Sequence, residues 1–129
     1  MKRNLLQQSE VEYFDWRFGK IAYTQTGSGS PLLLVHNLLP GSSSYEFHKI
    51  KDQLAEQHTV YCIDLPGYGL SDKPNLTYTN YLFVQAINDF IKNVIGKKTD
   101  LIAAGDSASF SIMCCHNDPD LFRKMIFIN

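Results

Sequence analysis

No apolar run in this sequence approaches the length that crosses a bilayer, so there is no candidate for a membrane-spanning helix. Charge of one sign is missing too. Lys and Arg number 12 against 13 Asp and Glu, a formal net charge of −1, and nothing in that balance points to nucleic acid or an anionic membrane surface as a partner. Cysteine is sparse: Cys62, Cys114 and Cys115 do not make a disulfide framework of the secreted kind, and a reducing cytoplasm is the expected compartment. The first residues, Met1-Lys2-Arg3-Asn4-Leu5-Leu6-Gln7-Gln8, carry positive charge but only two apolar side chains before polar ones return, unlike a secretion signal. The glycosylation pattern at Asn75-Leu76-Thr77 is then idle. Internal repeats and low-complexity linkers are also absent. What remains, 129 residues of which 44% are hydrophobic, suffices for one soluble domain with a core.

The chain alternates strand and helix signals. Strands are expected over 11–18 and 20–26, an antiparallel pair joined at Gly19, with a flexible turn at 27–31. Leu32-Leu33-Leu34-Val35 is a continuous apolar run, the mark of a strand covered on both faces. A loop over 37–44 leads to a helical stretch over 45–57, and 59–63 is another buried strand ending at Asp64. Thr79 is a suitable N-cap for a helix whose Leu82, Phe83, Ala86, Ile87, Phe90, Ile91, Val94 and Ile95 share one face, and Gly96 is its C-cap. A strand over 101–104, a helix closed off by Pro119 and a last strand over 124–128 follow. The expectation is an α/β fold with a mostly parallel sheet and helices on both faces, residues 1–10 being flexible. Ligand sites in such sheets lie at the carboxyl ends of the strands, where 36–37, 64–65 and 105–107 all fall.

Ser107 is the candidate nucleophile. It stands where the strand over 101–104 turns into a helix, a corner that would project its hydroxyl outward beside unpaired helical N–H groups. Asp106 is the weaker alternative as a carboxylate nucleophile, because the spacing from Gly105 favours Ser107.

Gly105-x-Ser107-x-Ser109 resembles the nucleophile elbow of the α/β-hydrolase family, with Ser109 in place of its last glycine. Pro31-Leu32-Leu33-Leu34-Val35-His36-Asn37-Leu38-Leu39-Pro40-Gly41 resembles the strand and His-Gly loop that gives the family one oxyanion donor, with Asn37 in place of glycine. Asp64-Leu65-Pro66-Gly67-Tyr68-Gly69-Leu70-Ser71-Asp72-Lys73-Pro74 is similar to the family's D-x-x-G-x-G-x-S-D-x-P segment. The three motifs come in the family's order, and the resemblance covers nearly the whole chain from about Val11. The resemblance implies two-step acyl transfer: Ser107 attacks a carbonyl of a small-molecule ester or amide, and the oxyanion is held by the N–H of Ala108 and by that of Asn37 or Leu38.

It also implies an acid and a histidine after the nucleophile. The only histidine there, His116, lies about 13 Å along the same helix and cannot serve as the base. The chain is therefore expected to be the N-terminal part of one hydrolase domain, truncated after the strand that follows the elbow helix. The later strands, helices and lid would be absent and the fragment inactive alone. The competing reading is a non-catalytic ligand-binding protein of the same fold. No metal, nucleotide or other cofactor is indicated: Cys114-Cys115-His116 reads as helix packing, and Gly67-x-Gly69 as a structural loop.

Overall fold

The computed structural model describes residues 3–4 and 9–128 of the chain. Arg3–Asn4 pairs antiparallel with Ser9–Glu10; the rest of the segment expected to be flexible lies outside the described residues. The main sheet has six strands: β1 (Glu12–Trp16), β2 (Gly19–Thr26), β3 (Ser30–Val35), β4 (His58–Ile63), β5 (Thr99–Ala104) and β6 (Phe122–Ile128). Their spatial order is β1-β2-β4-β3-β5-β6. The first two pairings are antiparallel and the remaining three parallel, as the alternation of strands and helices requires. No helix among the described residues is long and apolar enough to cross a membrane.

The strand β3 sits at the centre because nothing in it objects to burial: Leu32, Leu33, Leu34 and Val35 are each 4% exposed or less. Its alternation divides the core in two. Leu33 and Val35 face one side with Tyr61, Ile63, Leu101 and Ala103, packed by α2 (Asn80–Phe90) and α3 (Ser107–Asn117). Leu32 and Leu34 face the other with Val60 and Cys62, covered by Phe47 and Leu54. Helices on both faces follow directly.

The second helix has the expected ends. Thr79 Oγ1 accepts from Leu82 N at 3.2 Å, and Gly96 is left-handed with its N–H on Ile91 O at 2.7 Å. The last turn, Ile91–Ile95, widens to a π-helix. The helix expected over 45–57 is instead two short pieces, a 3₁₀ turn Ser44–Phe47 and α1 (Lys51–Leu54). Side-chain anchors hold the first turn to the loops around it. Ser44 N donates to Asp64 Oδ1 at 2.8 Å, Glu46 reaches back to Asn37 N at 2.6 Å, and Phe47 is buried.

At the outer edge, β6 is apolar but open: Ile126, Phe127 and Ile128 are 53%, 42% and 40% exposed.

Asp64 ties the segment after β4 to the rest of the fold. Its carboxylate also accepts from Leu70 N at 3.0 Å, and its carbonyl accepts from the Ser71 hydroxyl, which in turn accepts from Ala22 N at 2.8 Å. Replacing Asp64 by Ala strands two N–H donors and is expected to cost about 3 kcal/mol of stability. Asp64→Asn, which keeps one acceptor, should cost less. Urea denaturation of the three proteins checks the order.

Candidate functional site

Because β4, β3 and β5 run parallel and adjacent, the loops after Ile63, Val35 and Ala104 leave the sheet at one edge. The loop after β3 carries His36, Asn37 and Leu38. His36 is fully buried and locked at both nitrogens: Nδ1–H donates to Asn37 O at 2.6 Å, and Nε2 accepts from Leu65 N at 3.0 Å. Those partners fix the tautomer. Burial holds the imidazole below its usual value of 6.5, against raising influences from the Asn37 carbonyl, Asp64 and Glu46. His36 thus shapes the loop as a neutral ring, and the tilted Tyr68 ring packs beside it with centroids 5.1 Å apart.

The corner between β5 and α3 differs from the sequence expectation. Its positive φ, +58°, belongs to Gly105, a conformation glycine adopts at little cost. Helix α3 begins at Ser107, two residues past the corner. The Ser107 side chain does not project outward. It is 0% exposed, and Oγ lies 2.8 Å from Ala104 O, 2.9 Å from His36 O and 3.4 Å from Val35 O. The hydroxyl donates into this nest of carbonyls and ties the first turn of α3 to the ends of β3 and β5. Asp106, at the N-cap position, is exposed. In the G-x-S-x-S spacing Gly105 is the flanking glycine of an elbow centred on Ser107, whereas in the structure it is the corner itself. The signal that locates the corner was in the same residues: glycine is the one most at home at positive φ.

The expected oxyanion donors separate in the same way. Ala108 N–H is used inside the turn, on Gly105 O at 3.2 Å, and Asn37 N–H is on Glu46 Oε1. Leu38 N–H does point into the corner. It meets Asp106 N–H, a donor that the motif spacing does not indicate, and the two converge on one oxygen, Oδ1 of Asn37, at 2.7 and 3.0 Å. Two backbone donors from different elements are thus aimed at one carboxamide oxygen. In a nucleophile elbow the donors are the N–H after the corner residue and an N–H of the loop after the neighbouring strand. With Gly105 at positive φ, the N–H of Asp106 is the first after the corner and that of Leu38 belongs to the loop after β3.

A cleft of about 460 Å³ adjoins Leu38 on this edge, with Tyr68, Tyr78 and Phe83 as aromatic walls and Lys73 at its side. Tyr68 Oη donates to Leu38 O at 3.2 Å, which joins cleft and loop. Phe47 belongs to the core, whereas Tyr45 is exposed and stacked on His48. Cys114 is buried on α3, its thiol pushed up to about 12 by burial, which suits packing rather than ligation.

A family model described as the alpha/beta hydrolase fold matches residues 31–107. The soluble epoxide hydrolase of Corynebacterium sp. (strain C12) is 26% identical over 85% of this chain and 38% of that protein. The 2-(acetamidomethylene)succinate hydrolase of Mesorhizobium japonicum is 28% identical over 81% of this chain and 37% of that protein. An alpha/beta hydrolase fold protein from Burkholderia ambifaria superposes with a TM-score of 0.84 at 24% identity, covering 92% of this chain and 43% of that one. The chain thus spans less than half the length of these relatives.

The buried, neutral His36 sets a pH dependence. Its lowered value means the folded state resists a proton that the unfolded chain accepts, so the stabilisation is complete above about 6.5 and falls as pH drops below it. Unfolding midpoints between pH 8 and about 5 should decline on the acid side. Replacing His36 by Gln should remove part of that slope.

Proposed function

This chain belongs to the alpha/beta hydrolase fold family, and from that premise we propose that it provides the oxygen-binding edge of a small-molecule site at which Ser107 is structural rather than nucleophilic. One observation carries the reading. The Ser107 hydroxyl is fully buried and committed to backbone carbonyls, while the corner that would present a nucleophile holds Gly105. What this edge offers a ligand is a pair of N–H donors for a carbonyl oxygen and an aromatic-walled cleft for an apolar body. The ligand would be a small carbonyl compound, bound without covalent attack by this segment.

A second reading keeps Ser107 as the nucleophile of acyl transfer. The spacing Gly105-x-Ser107-x-Ser109 at a strand–helix junction favours it, as do relatives named as hydrolases. In that reaction Ser107 Oγ bonds to the carbonyl carbon, its proton passes to a base, and the π electrons move onto the oxygen, which the N–H of Ala108 and that of Asn37 or Leu38 would hold. Ser107 would first have to leave its nest of carbonyls.

A fluorophosphonate probe on the native protein, followed by peptide mapping, tests the first reading. The first reading expects no adduct on Ser107. It also expects Ser107→Ala to lose about 1 kcal/mol of stability, from the lost buried hydrogen bonding, with no change in probe reactivity. An adduct on Ser107 that disappears in Ser107→Ala would overturn it.

A further inference from the structure

The oxygen that the two corner N–H groups hold is the chain's own. The Asn37 carboxamide has its oxygen on Leu38 N and Asp106 N, and the whole group lies over Gly105. A Cβ built at Gly105 would overlap Cγ, Nδ2 and Oδ1 of Asn37. The corner therefore holds one side chain: a carboxamide from position 37, or whatever stands at position 105, and not both. We propose that Asn37 is the resident occupant of the oxygen-binding corner, and that a ligand's neutral carbonyl oxygen binds there only by displacing it. The proposal rests on the reading of this edge as an oxygen-binding site.

The surrounding contacts make displacement a side-chain event. Asn37 N is held by Glu46 and Asn37 O by His36 Nδ1–H, so its backbone is fixed independently of the carboxamide. Asn37 is only partly buried, so its side chain is not sealed off from solvent. The chemistry of the guest follows from the same residues. Glu46 lies on Asn37 N, and the acid Asp106 supplies one of the two donors. A carboxylate would meet like charge there, whereas an amide or ester carbonyl reproduces what Asn37 already offers.

The test is chemical rescue followed by ¹⁵N–¹H spectroscopy of the native protein, with acetamide as the probe because it carries the same carboxamide. In the native protein the Leu38 and Asp106 amide signals should not respond. In Asn37→Gly both should shift away from their native positions, and acetamide should return them saturably, while acetate does so less. Equal responses in native and variant protein, no response in the variant, or acetate acting more strongly than acetamide would each overturn the proposal.

Asn37→Ala serves the same purpose should the glycine variant fold poorly. Thermal midpoints give an independent check: Gly105→Ala should lower the midpoint more in the native background than in Asn37→Gly, and equal losses would sink the steric half of the argument. A Ser107 adduct in the labelling experiment would refute the non-covalent reading whatever acetamide does. Failure of the rescue would leave the structural role of Ser107 intact.

Discussion

Everything at the functional edge hangs from the double pairing of β3. Its backbone is bonded to β4 on one side and β5 on the other, both parallel, in a register that places Val35 level with Ile63 and with Ala103. Three loops then have to leave the sheet side by side and in the same direction. A one-residue slip would turn Leu33 and Val35 toward the wrong layer and exchange the two halves of the core. The apolar continuity of the strand thus fixes where the site is before any polar residue is considered.

Once the loops are neighbours, their polar groups have little freedom. His36 binds forward to Leu65 and back to Asn37, Ser107 binds to the ends of β3 and β5, and Asp64 clamps the segment after β4. Each is a side chain satisfying backbone groups where regular pairing stops, the usual requirement for buried chain ends. The residues that look catalytic in sequence are largely occupied with this task. The two N–H groups on Asn37 Oδ1, by contrast, meet a side-chain oxygen rather than a fixed backbone one.

The fold was legible for reasons that are local. A run such as Leu32 to Val35 has no other good use than a doubly covered strand, and Thr79 and Gly96 bracket their helix with ordinary capping chemistry. The stretch after Ser43 was less so, because its course depends on Asp64 and Asn37, which reach it from elsewhere in the chain. The site was legible as an edge but not as a geometry. Gly105, Asp106, Ser107 and Asn37 were all in view, yet which of them stands at the corner is decided by a single backbone angle, and spacing between small residues does not report an angle. The engagement of Asn37 with Asp106 spans 69 positions and could not be read from either motif alone.

The open side of β6 carries a consequence for handling this polypeptide. Among the described residues no strand pairs with the outer side of β6, where Ile126, Phe127 and Ile128 are exposed, and an unpaired strand edge is a template on which another strand can add. With a net charge of only −1, long-range repulsion does little to keep copies apart. Association through this edge is then opposed mainly by whatever shields it. A preparation that exposes it would lose material by edge-to-edge polymerisation, in proportion to concentration, while each molecule's interior stayed folded.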